Sequence, residues 1–216
     1  MDDKVGTRWV APIGLSTLLA LLVGLCYPLP SSAEDAMKCQ TRILVDFMEP
    51  AEENRWTVVN DGVMGGLSSS RMEVTSAGTG VFRGVLSLKN SGGFASVRRA
   101  SPDDHFAGCA GVLLRVKGDG RTYQFRLRTN EQFDGMAYRA EFSTQPDTWI
   151  TVRLPFSSFE PTFRGRIVPD APPLRPENIQ QLGFLVADKQ AGPFQVEIDW
   201  IRTYEITADA TPERGR

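Results

Sequence analysis

The stretch Val112-Leu113-Leu114-Arg115-Val116-Lys117-Gly118-Asp119-Gly120-Arg121-Thr122-Tyr123-Gln124-Phe125-Arg126-Leu127-Arg128 decides the fold. Val112, Leu114 and Val116 alternate with Leu113, Arg115 and Lys117. Tyr123, Phe125 and Leu127 alternate with Gln124, Arg126 and Arg128. Successive side chains leave a pleated backbone on opposite faces, so a period of two with one polar face marks a half-buried strand. The glycines at 118 and 120 bring turn chemistry between the two runs, which therefore read as a hairpin.

The pattern repeats in both directions. Ile43, Val45 and Phe47 alternate, and Phe82, Leu86 and Leu88 share one parity. Met136, Tyr138 and Phe142 do so too, as do Ile150, Val152 and Leu154, and then Phe194, Val196, Ile198 and Trp200. Asn90-Ser91-Gly92-Gly93 reads as a second hairpin turn. No segment after residue 33 has a long helical period. Residues 176–182 have room for one short helical turn, and the proline-rich residues 167–176 read as an ordered loop over the sandwich edge. Many short antiparallel strands joined by Gly-rich turns imply an all-β chain, an antiparallel β-sandwich or jelly roll. At 216 residues, with 41% hydrophobic and 23% charged side chains, one such domain has material for a core. A net charge of −2 gives no electrostatic reason to expect a nucleic-acid partner.

The first 33 residues read differently. Lys4 and Arg8 precede an uncharged apolar run, and Ser31-Ser32-Ala33 supplies small residues before acidic Glu34-Asp35. That order describes a secretory signal peptide cleaved after Ala33. The alternative is an uncleaved anchor, the one route by which membrane association is expected; Pro12, Gly14, Gly24 and Pro28 disfavour it. The expected organisation is a leader at 1–33, one domain at 34–207 and a frayed tail at 208–216. The expected location is periplasmic or secreted. Cleavage leaves Cys39 and Cys109, which either pair or stay as two buried thiols; the pattern alone does not decide.

Catalytic signatures are absent. The single histidine, His105, lies in the polar run Ser101-Pro102-Asp103-Asp104 and reads as a surface residue. One His and two distant Cys do not make a usual zinc site, and no P-loop or dinucleotide fingerprint occurs. No cofactor, no metal and no enzymatic activity are expected.

The most distinctive stretch is Asn60-Asp61-Gly62-Val63-Met64-Gly65-Gly66-Leu67-Ser68 after Trp56. Its glycines and Asn-Asp pair dictate a tight, irregular backbone. One reading makes it a corner, with Asp61 capping amides and Trp56 filling the core. The other makes it a binding loop at one rim of the sandwich, beside the turn at residues 90–94. In that reading Asp61, Met64, Gly65, Gly66, Ser68, Asn90 and Arg98 form the site. Met64, Ser68, Asn90 and Arg98 are then expected to face outward, with neither Met64 nor Ser68 anchoring the core.

Residues 56–68 and 82–98, the run from Trp149 to Phe159 with Val152, Leu154, Pro155 and Phe156 between them, and residues 183–201 together resemble the NADH:ubiquinone oxidoreductase complex I intermediate-associated protein family. The resemblance covers nearly all of the chain after residue 33. It implies a galactose-binding-domain-like jelly roll and an assembly-factor, chaperone-like role with a protein partner. The mitochondrial members act on the matrix side, so an export signal departs from them. Against a protein-binding role stands a small-ligand module for a carbohydrate or polyol. A sugar wants bare aromatic platforms; a protein wants a larger apolar or Arg-rich surface. Arg115, Arg126, Arg128, Arg139 and Arg153 on polar strand faces make a basic stripe if strand order sets them side by side; otherwise they are a solvated face with partners such as Glu141. Arg126 and Arg128 therefore join the candidate site.

Overall fold

Alternation along each strand requires a second layer to cover its apolar face, and the computed structural model shows two antiparallel sheets doing so. It describes residues 39, 41–101, 106–132 and 134–205. The strands are β1 (Ile43–Asp46), β2 (Trp56–Val58), β3 (Ser69–Val74), β4 (Gly80–Leu86), β5 (Ala95–Ala100), β6 (Gly111–Gly118), β7 (Thr122–Arg128), β8 (Ala137–Ser143), β9 (Trp149–Pro155), β10 (Glu160–Phe163), β11 (Arg166–Ile167), β12 (Gln181–Val186) and β13 (Gly192–Tyr204). The first sheet runs β3-β4-β13-β6-β9, with β1 also on β13. The second runs β11-β10-β8-β7-β12-β5-β2. Residues 176–178 form a single 3-10 turn, as the proline at 176 favours.

Aromatic rings of the inward parity close the space between the layers. Tyr123 and Phe125 of β7, Phe184 of β12 and Phe194 of β13 are almost wholly buried. Tyr123 meets Phe194 across the layers at 6.5 Å between ring centroids. Trp56 lies between Phe47 and Phe184 at 6.1 and 6.0 Å. Each such side chain contributes about 1.5–3 kcal/mol by leaving water.

Two expected hairpins are crossovers. β6 pairs with β13 and β9, whereas β7 pairs with β8 and β12, so residues 118–121 carry the chain from one sheet to the other. Residues 87–94 do the same between β4 and β5. Gly120, at φ +91°, reverses the chain as expected. A turn residue sets local direction, however, not the partner of the next strand. Asp119 and Thr144 hold this corner. The Tyr123 hydroxyl donates to both Asp119 carboxylate oxygens, the Gln195 amide donates to Oδ2, and Thr144 Oγ1 accepts from the Gly120 amide. β4 ends at Leu86, so Leu88 leaves the strand parity and is exposed.

The open question of the cysteines is decided in favour of pairing. Cys39 and Cys109 form a disulfide with Cα atoms 4.5 Å apart. It ties the segment ahead of β1 to the loop ahead of β6. The expected leader, His105 and the tail after residue 207 lie outside the described residues. Among the described residues no helix is long and apolar enough to cross a membrane.

Candidate functional site

The two Gly-rich loops meet on one buried carboxylate. Asp61, with no exposed surface, accepts from the Ser68 amide at 2.9 Å, the Ser68 hydroxyl at 2.6 Å and the Gly93 and Phe94 amides at 2.7 and 3.3 Å. Burial pushes its carboxyl up, but the hydrogen bonds from Ser68, Gly93 and Phe94 together outweigh it and hold the pKa below the ordinary 3.8. Around the carboxylate there is space only for glycine. A Cβ on Gly66 would stand 2.3 Å from Asp61 Cγ, and one on Gly92 would stand 2.6 Å from Oδ2. Gly65 takes φ +89°, a left-handed position that closes the 3-10 turn of residues 61–64. Asn60 reinforces the junction by accepting from Ser70 Oγ and the Ser96 amide.

Asp61, Gly66 and Ser68 are therefore scaffolding. Ser68 is not outward-facing as expected: it is 9% exposed, donates to Asp61 and accepts from the Ser87 amide at 3.0 Å. Its hydroxyl satisfies groups that the sequence pattern does not reveal as buried. Met64 and Asn90 do face solvent. Beside Met64 the loop also exposes Val63 and Leu67, which sequence reasoning passed over, and the facing loop exposes Leu88. The missed signal was that the motif alternates backbone-demanding glycines with large apolar residues that have no place in a strand.

Arg98, Arg126 and Arg128 form a second cluster on the outer face of the β5-β12-β7 strip. Arg98 and Arg126 both stand opposite Gly183, Arg128 stands opposite Gln181, and Arg126 also opposes Arg139 of β8. The row therefore crosses four adjacent strands. Arg115 and Arg153 lie on the other sheet, so the single stripe of five arginines does not form. Arg139 has acidic partners in Glu160 and Glu141, as the solvated-face reading expected of it. Arg126 donates from Nη2 to Thr162 Oγ1 at 2.8 Å, while its buried Nε has no partner. Arg128 donates to the Gly135 carbonyl. Burial, then the charges of Arg128, Arg98 and Arg139, lower Arg126 to about 10. Burial and then Arg128 lower Arg98 to about 10. Burial also lowers Arg128, with Asp134 opposing.

A small hollow of about 20 Å³ lies between the arginines, bordered also by Ser96, Gln181 and Gly183. A Cβ on Gly183 would lie 2.2 Å from the Val97 carbonyl oxygen and 3.2 Å from Arg98 Cα. Gly183→Ala is expected to cost about 1–3 kcal/mol by overpacking a backbone contact, read as a lower urea midpoint with an unchanged slope. An unshifted midpoint would mean that β5 and β12 separate without penalty.

Neither sheet offers a bare aromatic platform among the described residues. On the second sheet every ring on β5, β7, β8 and β12 points into the core, and the exposed Phe163 of β10 has Arg164 5.2 Å from its ring centre. On the other sheet Lys117 Nζ and Arg115 Cζ lie 5.1 and 5.8 Å from the Trp149 ring centre. Arg202 lies 4.2 Å from Trp200, and Arg153 lies 4.0 Å from Tyr204. These cations occupy the ring faces that a sugar would stack on. Among the described residues no group of three or more His, Cys, Asp or Glu is placed to hold a metal ion.

The sequence profile described as "Complex I intermediate-associated protein 30 (CIA30)" matches residues 45–198. Relatives include complex I intermediate-associated protein 30, mitochondrial, of Drosophila melanogaster, 28% identical over 75% of this chain and 62% of that protein. The Mus musculus protein of the same name is 26% identical over 76% of this chain and 56% of its own length. The chain thus spans about three fifths of the length of these relatives. Among solved structures, the family 11 carbohydrate-binding module from Clostridium thermocellum, in complex with a mixed-linked tetrasaccharide, superposes with a TM-score of 0.59 at 20% identity, covering 77% of this chain and 96% of the module. A second structure of a family 11 module, from the cellulosomal cellulase Lic26A-Cel5E of the same organism, gives 0.57 at 19% identity, covering 77% and 95%. This likeness shows the fold, an antiparallel β-sandwich of the galactose-binding-like type.

Proposed function

The chain belongs to the complex I intermediate-associated protein 30 family, and from that premise we propose that it is a non-enzymatic protein-binding module of the assembly-factor type, exported from the cytoplasm, that holds its partner with the rim loop of residues 61–68. The observation that carries this reading is that Val63, Met64 and Leu67 are 62%, 57% and 59% exposed on a loop clamped through Asp61. Large apolar side chains held in water beside one another mark interaction surfaces. A loop already rigid in the free protein loses little entropy when a partner docks. Met64 adds a polarisable side chain that adapts to an irregular surface.

The test is capture by the full chain from its own cell-envelope extract, with mass spectrometry of what is retained. Met64→Asp and Val63→Asp are expected to abolish capture while shifting stability by less than about 0.5 kcal/mol, as for other exposed positions. Capture that survives both substitutions would sink the loop as the partner site.

Export rests on the leader pattern at residues 1–33 and on the Cys39–Cys109 disulfide, a bond that persists in oxidising compartments. The curated relatives are mitochondrial by name, so the proposed compartment differs from theirs; a shared fold does not carry a shared address. N-terminal sequencing is expected to begin at Glu34. An intact Met1 in the membrane fraction would replace the exported domain with an anchored one.

A further inference from the structure

We propose that the outer edge of β9 is a second docking site, and that it takes an extended segment of a partner protein, with acidic and apolar side chains in alternation, as an added antiparallel strand. The site uses none of the rim-loop residues. β9 ends its sheet: it pairs with β6 along its seven residues, and among the described residues no strand pairs with its other side. The backbone polar groups of an antiparallel strand point alternately to its two sides. The Phe156 amide donates to the Ala110 carbonyl, which sets the phase. Leu154, Val152 and Ile150 bond toward β6, and the N–H and C=O groups of Thr151 and Arg153 point away from it. An edge of this kind is a template for a further strand. The edge strands of the other sheet, β2 and β11, have only three and two residues.

The two faces of β9 select the partner. Toward the core it directs Ile150 and Val152, which stay half-buried at the margin of the sandwich. Apolar side chains on an added strand cover them. Outward it directs Thr151 and Arg153, both exposed, and no acid occurs between Trp149 and Pro155. Arg115 reaches across from β6, with Nη1 3.4 Å from Thr151 Oγ1, and its head lies over the Trp149 ring. Arg153 lies over the ring of Tyr204, which crosses β6 at Gly111: the Tyr204 hydroxyl is 2.7 Å from the place of a Cβ on Gly111. Among the described residues neither arginine is paired with a carboxylate, whereas neighbouring Lys117 is held by Glu197. A ring holds a guanidinium by its face and leaves the in-plane N–H donors for an anion.

An antiparallel neighbour would run about 4.8 Å from β9. Its residues opposite Thr151 and Arg153 share their outward face, where opposite charges attract. The matching segment is therefore acidic on one parity and apolar on the other. A small anion meets the charges but leaves the edge amides, Ile150 and Val152 without partners.

The experiment is calorimetric titration of the full chain with a capped ten-residue peptide of alternating Glu and Val, with hydrogen exchange read on the complex. Binding is expected to slow exchange at the Thr151 and Arg153 amides and to weaken as salt rises. In this register the peptide's Glu amides point at β9 and its Val amides point away. N-methylation of the Glu amides is expected to abolish binding, and N-methylation of the Val amides to spare it. Arg153→Gln and Arg115→Gln are each expected to weaken binding about threefold, as for charge pairs at an exposed surface. Arg71→Gln, on β3 at the far edge of the same sheet, should leave it unchanged. Melting curves of the variants separate lost affinity from lost fold.

Binding that survives methylation at Glu would overturn the proposal, as would equal binding of a peptide with Gln in place of Glu, or protection of β3 amides in place of those at 151 and 153. Self-association of the chain in sedimentation that Thr151→Pro removes would overturn it too, by making a second copy the occupant. Partner capture through residues 61–68 is read separately with Met64→Asp, so that reading stands or falls without this one.

Discussion

Asp61→Ala is expected to lower the melting temperature by about 6–12 °C, the equivalent of about 3 kcal/mol in a domain of this size. The carboxylate accepts four hydrogen bonds with no exposed surface. Removing it strands the Ser68, Gly93 and Phe94 amides in a space that the neighbouring glycines have shaped around it. Each buried donor left unsatisfied costs about 1–3 kcal/mol, with relaxation and water recovering part. Asp61→Asn keeps the shape but replaces one acceptor oxygen with a donor, so it should also destabilise. The sign of the pH effect follows from the depressed pKa. Asp61 contributes stability that is fully present above its unfolded value near 3.8 and is lost as pH falls through its lower folded value. Differential scanning calorimetry from pH 7 to pH 2 should show a steep acid decline in the wild type that is shallower in Asp61→Ala. Parallel curves for the two proteins would mean that the carboxylate does not hold the loops together.

Breaking the Cys39–Cys109 bond is expected to have an effect at least as large. The two cysteines are 70 residues apart in sequence. Closing a loop of that length in the unfolded chain accounts for about 4 kcal/mol by the chain-entropy argument. The melting temperature of Cys39→Ser or of the reduced protein should fall by about 8–16 °C. The loss should appear first at β1, whose pairing with β13 is short and interrupted by a register shift between Ile43 and Val45. Hydrogen exchange under reducing conditions reads this directly, as faster exchange at residues 43–46 than in β6 or β13. An unchanged melting temperature with two titratable thiols would remove the cross-link from the account of stability.

The sequence by itself determined the class of fold, because strand alternation is a local property of the pleat. Tyr123, Phe125 and Leu127 point inward wherever β7 is placed, and Arg126 points outward for the same reason. It also determined that the stretch around Asp61 to Ser68 needs an unusual backbone, since glycine at 65 and 66 follows from φ and from close approach. Only the tertiary structure decided which strands are neighbours. Residues 118–121 and 87–94 carry ordinary turn chemistry, and nothing local distinguishes a hairpin from a crossing between layers. That distinction rests on contacts between residues far apart in the chain: β6 with β13, β7 with β12. The same non-local pairing divided the five arginines of the strand faces between two sheets and set Arg98 and Arg126 on either side of Gly183. It brought Gly93 to Asp61, 32 residues away in the chain, turning a residue of loop composition into a buried clamp. It also brought Cys39 to Cys109. Side-chain direction is written every second residue, whereas proximity across the sandwich is set by which apolar faces cover one another when the whole chain leaves water.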